Sequence, residues 1–257
     1  MSARPELGTT KSFFRKVRPE LYWFHPPDGG ELHVVVTKVG LVLVDSGLLR
    51  HREVILGLWR QAGLDPRKIR LGFMTHFHAD HVGAMGWWSR EFGFSVVAHA
   101  NAAKVVEKGD LVITGTKIPY AGFDEDFVPC PIRHKVVGGE RFPVGKHNFK
   151  VSAAPGHTVG SIHILCGDLL FVGDTLFADG SIGWMDVHWG SNPEDYVHTL
   201  EQMRPLCGAL CAPGHGPPFR LSRTLIKRAC KIVSFYIPLG HGLGFPRVPR
   251  HSPDRAR

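Results

Sequence analysis

Four residues within a stretch of six, His76, His78, Asp80 and His81, have side chains that commonly bind metal ions. Imidazole and carboxylate ligands suit zinc, and also iron or manganese. Residues 69–74 predict a strand just before them, and residues two apart in extended chain face the same side, so His76 and His78 can point at one ion. A helix is predicted to begin directly afterwards, and its first turn would direct Asp80 and His81 towards a second ion nearby. The sequence therefore predicts a metal cluster where a strand passes into a helix.

Three later segments each place one more candidate ligand after a predicted strand. His157 and His215 both follow a Pro-Gly pair, and Asp174 follows a glycine. Glycine lets the main chain turn sharply, so the next side chain can project from a rigid strand end. A single histidine in a turn is usually a surface residue. All four fragments together, in this order and spacing, favour one combined metal site.

The order of these fragments resembles that of the metallo-β-lactamase-fold hydrolase superfamily, over about residues 32–217. The resemblance implies an α+β fold, an αββα four-layer sandwich in which two mixed β-sheets pack face to face with helices outside, and metals at one edge of the sheets. It also implies that Asp45 lies beside the site. The implied ligands are His76, His78 and His157 for the first ion, Asp80, His81 and His215 for the second, and Asp174 as the bridge between them.

Two ions sharing a water would lower its pKa towards neutrality and make hydroxide available for attack on a carbonyl carbon or a phosphorus. Asp80 could orient this nucleophile or pass a proton to the leaving group, and Asp174 would hold both ions, so these two are the candidate catalytic residues. The expected cofactor is two divalent metal ions, with zinc favoured and iron or manganese as alternatives. The predicted function is hydrolysis of a small ester, thioester or lactone by a metal-bridging hydroxide.

The surroundings of Asp174 bear on the substrate. A carboxylate bridge is typical of the thioesterases, lactonases and phosphoesterases of the superfamily, whereas the β-lactam-cleaving members usually lack it. Residues 173–177 resemble the glyoxalase-II-like branch, which hydrolyses hydroxyacyl-glutathione thioesters, although Trp184 stands where that branch often has Arg. Lactonases of quorum-sensing signals often have Tyr where this chain has Phe177. Phosphodiester or phosphotriester cleavage remains the alternative, followed by persulfide dioxygenase and β-lactamase activity.

Several aromatic residues fall in predicted loops near the site and could line an apolar pocket for an acyl or aryl group. Ordinary packing explains them equally well. These candidates for the substrate pocket are Tyr120, Phe123, Phe177, Trp184, His188 and Trp189.

The elements that must position the site come in two rounds of strands followed by helices, an order that suggests two packed sheets with outer helices. Asn192 and Pro193 have the residue types of a helix N-cap and first helical position. The Gly- and Pro-rich segment 109–131 is predicted to be a loop or lid. The predicted strands are 32–36, 39–44, 69–74, 95–98, 133–137, 149–153, 161–166, 169–172 and 210–212, and the predicted helices are 52–63, 79–92, 100–108, 193–206 and 219–235.

The composition, 43% hydrophobic and 21% charged over 257 residues, is typical of a globular protein. One metallo-hydrolase domain is expected at 1–236, with a basic Pro- and Gly-rich tail at 237–257. No apolar run approaches the roughly 20 residues of a membrane helix, and the first 18 residues lack the apolar stretch of a secretory signal. A cytoplasmic location without membrane contact is therefore expected.

The net charge of +8 could attract nucleic acid. The basic residues are spread along the chain, however, so nucleic acid is not an expected partner. The expected partner is a small-molecule substrate, and a homodimer is left open. The three Asn and two Gln are few, and such scarcity of thermolabile amides suits a heat-adapted source.

Overall fold

Two β-sheets form the centre of the computed structural model, which describes residues 11–117 and 127–242. Within these residues the first sheet has seven strands and the second has six. The first sheet contains, in both chain order and spatial order, β1 (Phe13–Arg18), β2 (Leu21–His25), β3 (Leu32–Thr37), β4 (Gly40–Val44), β5 (Ile69–Phe73), β6 (Ser95–His99) and β7 (His134–Val136). The second sheet, ordered β13-β12-β11-β10-β9-β8 in space, contains β8 (Arg141–Val144), β9 (His147–Ala153), β10 (Ile162–Cys166), β11 (Leu169–Gly173), β12 (Leu210–Pro213) and β13 (Phe219–Arg220).

Both sheets are mixed, as predicted. Strands β1 to β4 pair antiparallel, and β4 to β7 pair parallel. In the second sheet β11 and β12 are parallel, while β9 and β11 are both antiparallel to the strand between them, β10. The strands β9, β11 and β12 therefore run in one direction, and their carboxyl ends meet at one edge of the sheet.

Helices cover the outer face of each sheet. The helices are α1 (Arg52–Gln61), α2 (Ala79–Val82), α3 (Met85–Phe92), α4 (Ala100–Lys108), α5 (Pro193–Gln202) and α6 (Arg223–Gly242). One apolar cluster, including Trp59 and Trp88, lies between α1 to α4 and the first sheet. A second, including Phe73 and Phe171, lies between the sheets, and a third lies between the second sheet and α5 and α6. These four layers confirm the αββα sandwich.

The helix ends largely match the sequence pattern. The Asn192 side chain accepts a hydrogen bond from the Asp195 amide and caps α5, with Pro193 at its first position. The helix predicted at 79–92 is broken into α2 and α3, and at the break the Ala84 amide donates to the Gly47 carbonyl oxygen instead of continuing α2.

Some predicted elements need correction. The last helix begins at Arg223, not at residue 219, because β13 pairs with β12. It continues to Gly242, beyond the predicted helix end at residue 235, and residues 243–257 of the expected tail lie outside the described residues. Strands β1, β2, β8 and β13 were not predicted.

No helix in the described part of the chain is both long enough and apolar enough to span a membrane.

Candidate metal centre

The strand-to-helix junction after β5 has the local form that the sequence predicts. Thr75 fixes the chain at the strand end: its amide and its hydroxyl both donate to the Asp45 carboxylate, at 2.8 and 2.7 Å. His78 is the extended residue before α2, and Asp80 and His81 are in that helix. The junction thus presents four candidate ligands, His76, His78, Asp80 and His81, within six consecutive residues.

A first cluster contains the side chains of His76, His78 and His157, whose ligand atoms lie within 4.8 Å of one another. His78 Nδ1 lies 2.9 Å from His157 Nε2. The outer nitrogens of both rings face acceptors: His157 Nδ1 donates to the main-chain oxygen of Trp184, and His78 Nε2 donates to Asp186 Oδ2 at 3.3 Å. Because these outer nitrogens hold the ring hydrogens, the inner nitrogens present lone pairs to each other.

The same reasoning fixes the ring of His76. The single hydroxyl hydrogen of Thr75 is used on Asp45, so the 3.0 Å contact between Thr75 Oγ1 and His76 Nδ1 is a bond that the imidazole donates. His76 Nε2 then carries a lone pair. It is buried and has no hydrogen-bond partner.

A second cluster contains Asp80, His81 and His215. His215 Nε2 lies 3.3 Å from both His81 Nε2 and Asp80 Oδ2. His81 Nδ1 donates to Asp45 Oδ2 at 3.1 Å, which turns Nε2 inwards. Asp45 therefore lies beside the site, as the resemblance implies, and orients both the junction and one ring.

Asp174 lies between the two clusters. Its Oδ1 is 3.3 Å from His81 Nε2, and its Oδ2 is 3.4 Å from His215 Nε2 and 3.7 Å from His157 Nε2. The buried Tyr196 hydroxyl donates to the main-chain oxygen of Asp174 at 2.9 Å and fixes the chain there. The structure thus brings together all seven residues that the sequence singles out as metal ligands.

This donor set fits two metal ions. Asp174 Oδ1 is buried without a hydrogen-bond partner, as is His76 Nε2. The lone pairs of His78 Nδ1 and His157 Nε2 face each other at 2.9 Å, an arrangement that is repulsive by itself and favourable around a cation. Buried polar atoms normally have hydrogen-bond partners, so buried oxygen and nitrogen atoms that lack one and face the centre are suited to bind a metal ion.

The electrostatics agree with this fit. Burial lowers the pKa of His157 to about 4, with His78 adding to the effect, so this ring is neutral at neutral pH. Burial also acts to lower the pKa of His215, but the carboxylates of Asp174 and Asp80 outweigh it and raise the pKa to about 10. Carboxylates that favour a proton on His215 also favour a metal cation at the same place.

Glu31 was missed by sequence reasoning. It is a buried carboxylate directly before β3 that accepts hydrogen bonds from Trp23 Nε1, His25 Nδ1 and the Gly216 amide, at 2.7, 2.8 and 3.1 Å. Its own amide donates to the Gly214 oxygen at 2.7 Å. Glu31 therefore holds both sides of the turn that carries His215. Burial raises its pKa against the effect of His25. A charged residue opening a buried strand is the only signal in the sequence.

Asp186 was also missed. It lies in the irregular segment between β11 and α5, bonds to His78, and its amide donates to the His157 oxygen at 3.0 Å. The absence of periodicity in that segment gives no sequence signal for this contact.

A cleft of about 510 Å³ opens above the clusters. Of the predicted pocket residues, Phe177 and Trp184 line it. His188 and Trp189, in the turn Val187–Trp189, are not among the described residues that line it. Tyr120 and Phe123 lie outside the described residues. The predicted loop 109–131 contributes Thr114 and Gly115 to the lining.

Comparison with known proteins gives curated relatives of low identity. A hydroxyacylglutathione hydrolase of Maricaulis maris is 29% identical over 187 residues, 72% of this chain and 57% of that protein. A human metallo-beta-lactamase domain-containing protein 1 is 27% identical over 76% of this chain and 65% of its own length. The chain thus spans less than two thirds of the length of these relatives.

Solved structures give the same fold. BJP-1, a subclass B3 metallo-β-lactamase of Bradyrhizobium japonicum, superposes with a TM-score of 0.70 at 20% identity, over 91% of this chain and 95% of its own. BLEG-1, a B3 metallo-β-lactamase, has a TM-score of 0.64 at 23% identity, over 77% of this chain and 90% of its own.

The family model of the metallo-beta-lactamase superfamily matches residues 25–215, a range that begins in β2 and ends at the last candidate ligand. This range includes every residue of the two clusters. The superfamily comprises metal-dependent hydrolases that typically bind divalent ions. The chain belongs to the metallo-beta-lactamase superfamily.

Proposed function

We propose that this chain is a hydrolase that uses two divalent metal ions to cleave a small ester, thioester or lactone. The observation that carries the proposal is the position of Asp174, whose carboxylate oxygens lie 3.3 to 3.7 Å from imidazoles of both clusters. One carboxylate between two nitrogen-rich sets is what a bridging ligand requires. In this proposal His76, His78 and His157 hold the first ion, Asp80, His81 and His215 hold the second, and Asp174 contacts both.

The donor set supports zinc. Five imidazoles and two carboxylates match the ligands that zinc prefers, although iron and manganese accept the same types. When bound, the two ions supply a water of lowered pKa and a Lewis acid for the substrate's carbonyl oxygen.

The chain's own residues would then position the reacting groups. Asp80 lines the cleft floor, and its carboxylate can orient a water or hand a proton to the leaving group. Asp45 and Asp186 accept hydrogen bonds from His81 and His78 and hold these rings in one orientation. Such fixed orientation preserves the reactive geometry without reorganisation during the reaction.

The choice of a carbonyl substrate has independent support. The hydroxyacylglutathione hydrolases among the relatives are named for thioester cleavage, which is acyl transfer to water. A lactone or an oxygen ester presents the same carbonyl carbon to the same attack. We therefore favour these three bond types over phosphoesters.

The test combines metal content with turnover. Purified protein reconstituted with Zn²⁺ is analysed by elemental mass spectrometry and assayed on an ester, a thioester, a lactone, a phosphodiester and a chromogenic cephalosporin. We expect close to two ions per chain, turnover of the carbonyl substrates, and loss of turnover in His76→Ala and Asp174→Ala. Glu53→Gln, at an exposed carboxylate on α1, serves as the matched control.

Two results would contradict the proposal. Undiminished activity after chelation and dialysis would exclude the metal chemistry. Turnover of the phosphodiester alone would replace the proposed bond type with the alternative one.

A further inference from the structure

The cleft above the candidate metal centre has walls of unlike chemistry. Its floor is polar and is formed by His78, Asp80, His157, Asp174 and His215 of the candidate metal centre, whereas its walls carry the side chains of Phe177, Ile182, Trp184 and Met185. Phe177 packs edge-on against His215, with ring centroids 5.9 Å apart, so the apolar wall begins at the candidate ligands themselves. A substrate whose carbonyl lies at the floor must therefore pass over apolar surface.

Trp184 is the most exposed large apolar side chain at this cleft, with 88% of its surface open to solvent. Phe177, Ile182 and Met185, which line the cleft with it, are partly exposed. Grouped exposed apolar side chains at a cleft are typical of binding sites, because leaving them in water is unfavourable unless a ligand covers them.

The main chain of Trp184 is fixed even though its side chain is exposed. Its carbonyl oxygen accepts the hydrogen bond from His157 Nδ1. Gly183, just before it, packs so closely that a β-carbon there would lie 2.7 Å from Asp174 Cβ. The indole is thus attached at a constant place relative to the floor of the cleft, which is what a side chain that selects substrates needs.

The charged groups at the cleft also favour an apolar ligand. The ionisable groups among the described lining residues are carboxylates and imidazoles, namely Asp80, Asp174, Asp186, His78, His157 and His215, with no Lys or Arg. The described wall residues therefore offer an anionic part of a substrate no cationic partner outside the candidate metal centre. Burying an unpaired carboxylate against apolar surface is unfavourable.

From this we infer that the cleft selects a substrate whose non-reacting part is uncharged and apolar, an alkyl or aryl group, and that Trp184 is a specificity-determining residue that packs against it. The inference rests on the proposed function. It separates this chain from a glutathione thioesterase, because glutathione brings two carboxylates to the cleft.

A matched pair of thioesters tests the selection. The S-lactoyl thioesters of benzyl mercaptan and of glutathione have the same acyl group and the same bond, and differ in the apolar or charged thiol part. With the Zn²⁺-loaded protein we expect kcat/KM to be at least about tenfold higher for the benzyl thioester, the order of effect that one well-packed apolar group gives.

Substitutions at Trp184 link this preference to the side chain. Trp184→Ala should lower kcat/KM for the benzyl thioester about tenfold and change that of S-lactoyl ethanethiol, which is too short to reach the rim, less than about twofold. Trp184→Arg should raise kcat/KM for the glutathione thioester. The control is Phe235→Ala, at an aromatic side chain on α6 that is 71% exposed and does not line the cleft. Metal content should be equal in all of these variants.

Binding provides a readout that does not depend on turnover. The Zn²⁺-loaded protein is titrated calorimetrically with the non-hydrolysable thioethers S-(2-hydroxypropyl) benzyl mercaptan and S-(2-hydroxypropyl)glutathione. Tighter binding of the benzyl thioether that weakens in Trp184→Ala supports the inference. Equal binding of both, or a preference that Trp184→Ala leaves unchanged, overturns it. Selective binding of the benzyl thioether without hydrolysis of any thioester, ester or lactone would overturn the proposed function but would still support the inferred preference for an apolar ligand.

Discussion

The main chain of Gly214 lies directly against the Asp174 carboxylate: a β-carbon at residue 214 would lie 2.0 Å from Asp174 Oδ1 and 2.6 Å from His81 Cε1. Gly214→Ala should therefore displace Asp174, whose main chain is held by Tyr196 and cannot simply follow. We expect at least about a hundredfold loss of kcat/KM, the effect of an ångström-scale displacement at a reacting centre. Bound zinc, measured by elemental mass spectrometry, should fall below two per chain.

The control for this substitution is Gly57→Ala. Gly57 lies within α1, and a β-carbon there would meet no atom within 4 Å. Alanine favours a helix over glycine by about 1 kcal/mol. The variant should keep full activity and melt at the same or a higher temperature. Full activity in Gly214→Ala would show that the carboxylate does not need its present place.

Asp45→Asn tests the carboxylate that orients the strand-to-helix junction. Among the described residues, Asp45 is the one non-glycine residue with a positive φ, 58°. Asparagine tolerates that conformation, so the backbone conformation at residue 45 should be kept. The amide nitrogen cannot accept the bonds that Thr75 or His81 now donates to one carboxylate oxygen. We expect zinc affinity, measured by competition with a chromogenic chelator, to fall about 10- to 100-fold.

The partly exposed carboxylate Asp65, away from the candidate metal centre, supplies the comparison. Asp65→Asn removes the same charge at a surface turn, where the carboxylate accepts bonds from Arg67. Its zinc affinity should equal that of the unaltered chain. Equal affinities in Asp45→Asn and Asp65→Asn would contradict the orienting role.

The junction of β5 and α2 could be predicted because its geometry is local. His76 and His78 need only extended chain to face one side, and Asp80 and His81 need only the first helical turn that follows. The strand-end turns carrying the three other candidate ligands have no local signal of which turns meet. Their order and spacing along the chain favour one combined site, but the assignment of each turn to an ion came only from the family resemblance.

The parts that could not be predicted depend on distant contacts. Glu31 and Gly216 are 185 positions apart, and no periodicity reports such a bond. Strand β1 lies at the edge of its sheet, and its consecutive residues Arg15 and Lys16, which point to opposite faces, are both exposed, so its pattern lacks the apolar alternation of a covered strand. Basic side chains at a sheet edge protect it from pairing with other chains. They also interrupt the alternation of apolar residues by which a strand is recognised in the sequence.

Glu31→Gln tests the contact that holds the His215 turn. The carboxylate accepts three hydrogen bonds, and an amide nitrogen in place of one oxygen leaves a buried donor, either Trp23 Nε1 or the Gly216 amide, without a partner. This costs about 1–3 kcal/mol of stability, measured by urea denaturation. Because the turn carries His215, a ligand only of the proposed second ion, zinc titrations should show one ion bound more weakly and the other unchanged.

The matched substitution is again Glu53→Gln on the surface of α1. It should alter neither the urea midpoint nor either zinc affinity. Two zinc affinities that weaken equally in Glu31→Gln would indicate a general loosening of the fold rather than a role at the His215 turn.

Asp168 and Arg18 connect the two sheets through an ion pair whose strength should depend on pH. Arg18, the last residue of β1, donates to both carboxylate oxygens of Asp168 in the β10–β11 turn, at 2.6 and 2.8 Å. These bonds lower the pKa of Asp168 from 3.8 to about 2. The folded pKa is below the unfolded one, so the stabilisation is complete above pH 3.8 and is lost as the pH falls through about 2.

A double-mutant cycle of Arg18→Gln and Asp168→Asn, measured by urea denaturation, isolates this pair. The Asp168 side chain is 60% exposed, so the coupling near neutral pH should be no more than about 1 kcal/mol, and added salt should reduce it. The coupling should persist down to about pH 4 and shrink below it, because protonation then removes the charge that Arg18 binds. A coupling that stays constant from neutral pH to about pH 2.5 would mean that the two side chains stabilise the sheet contact by packing and not by charge.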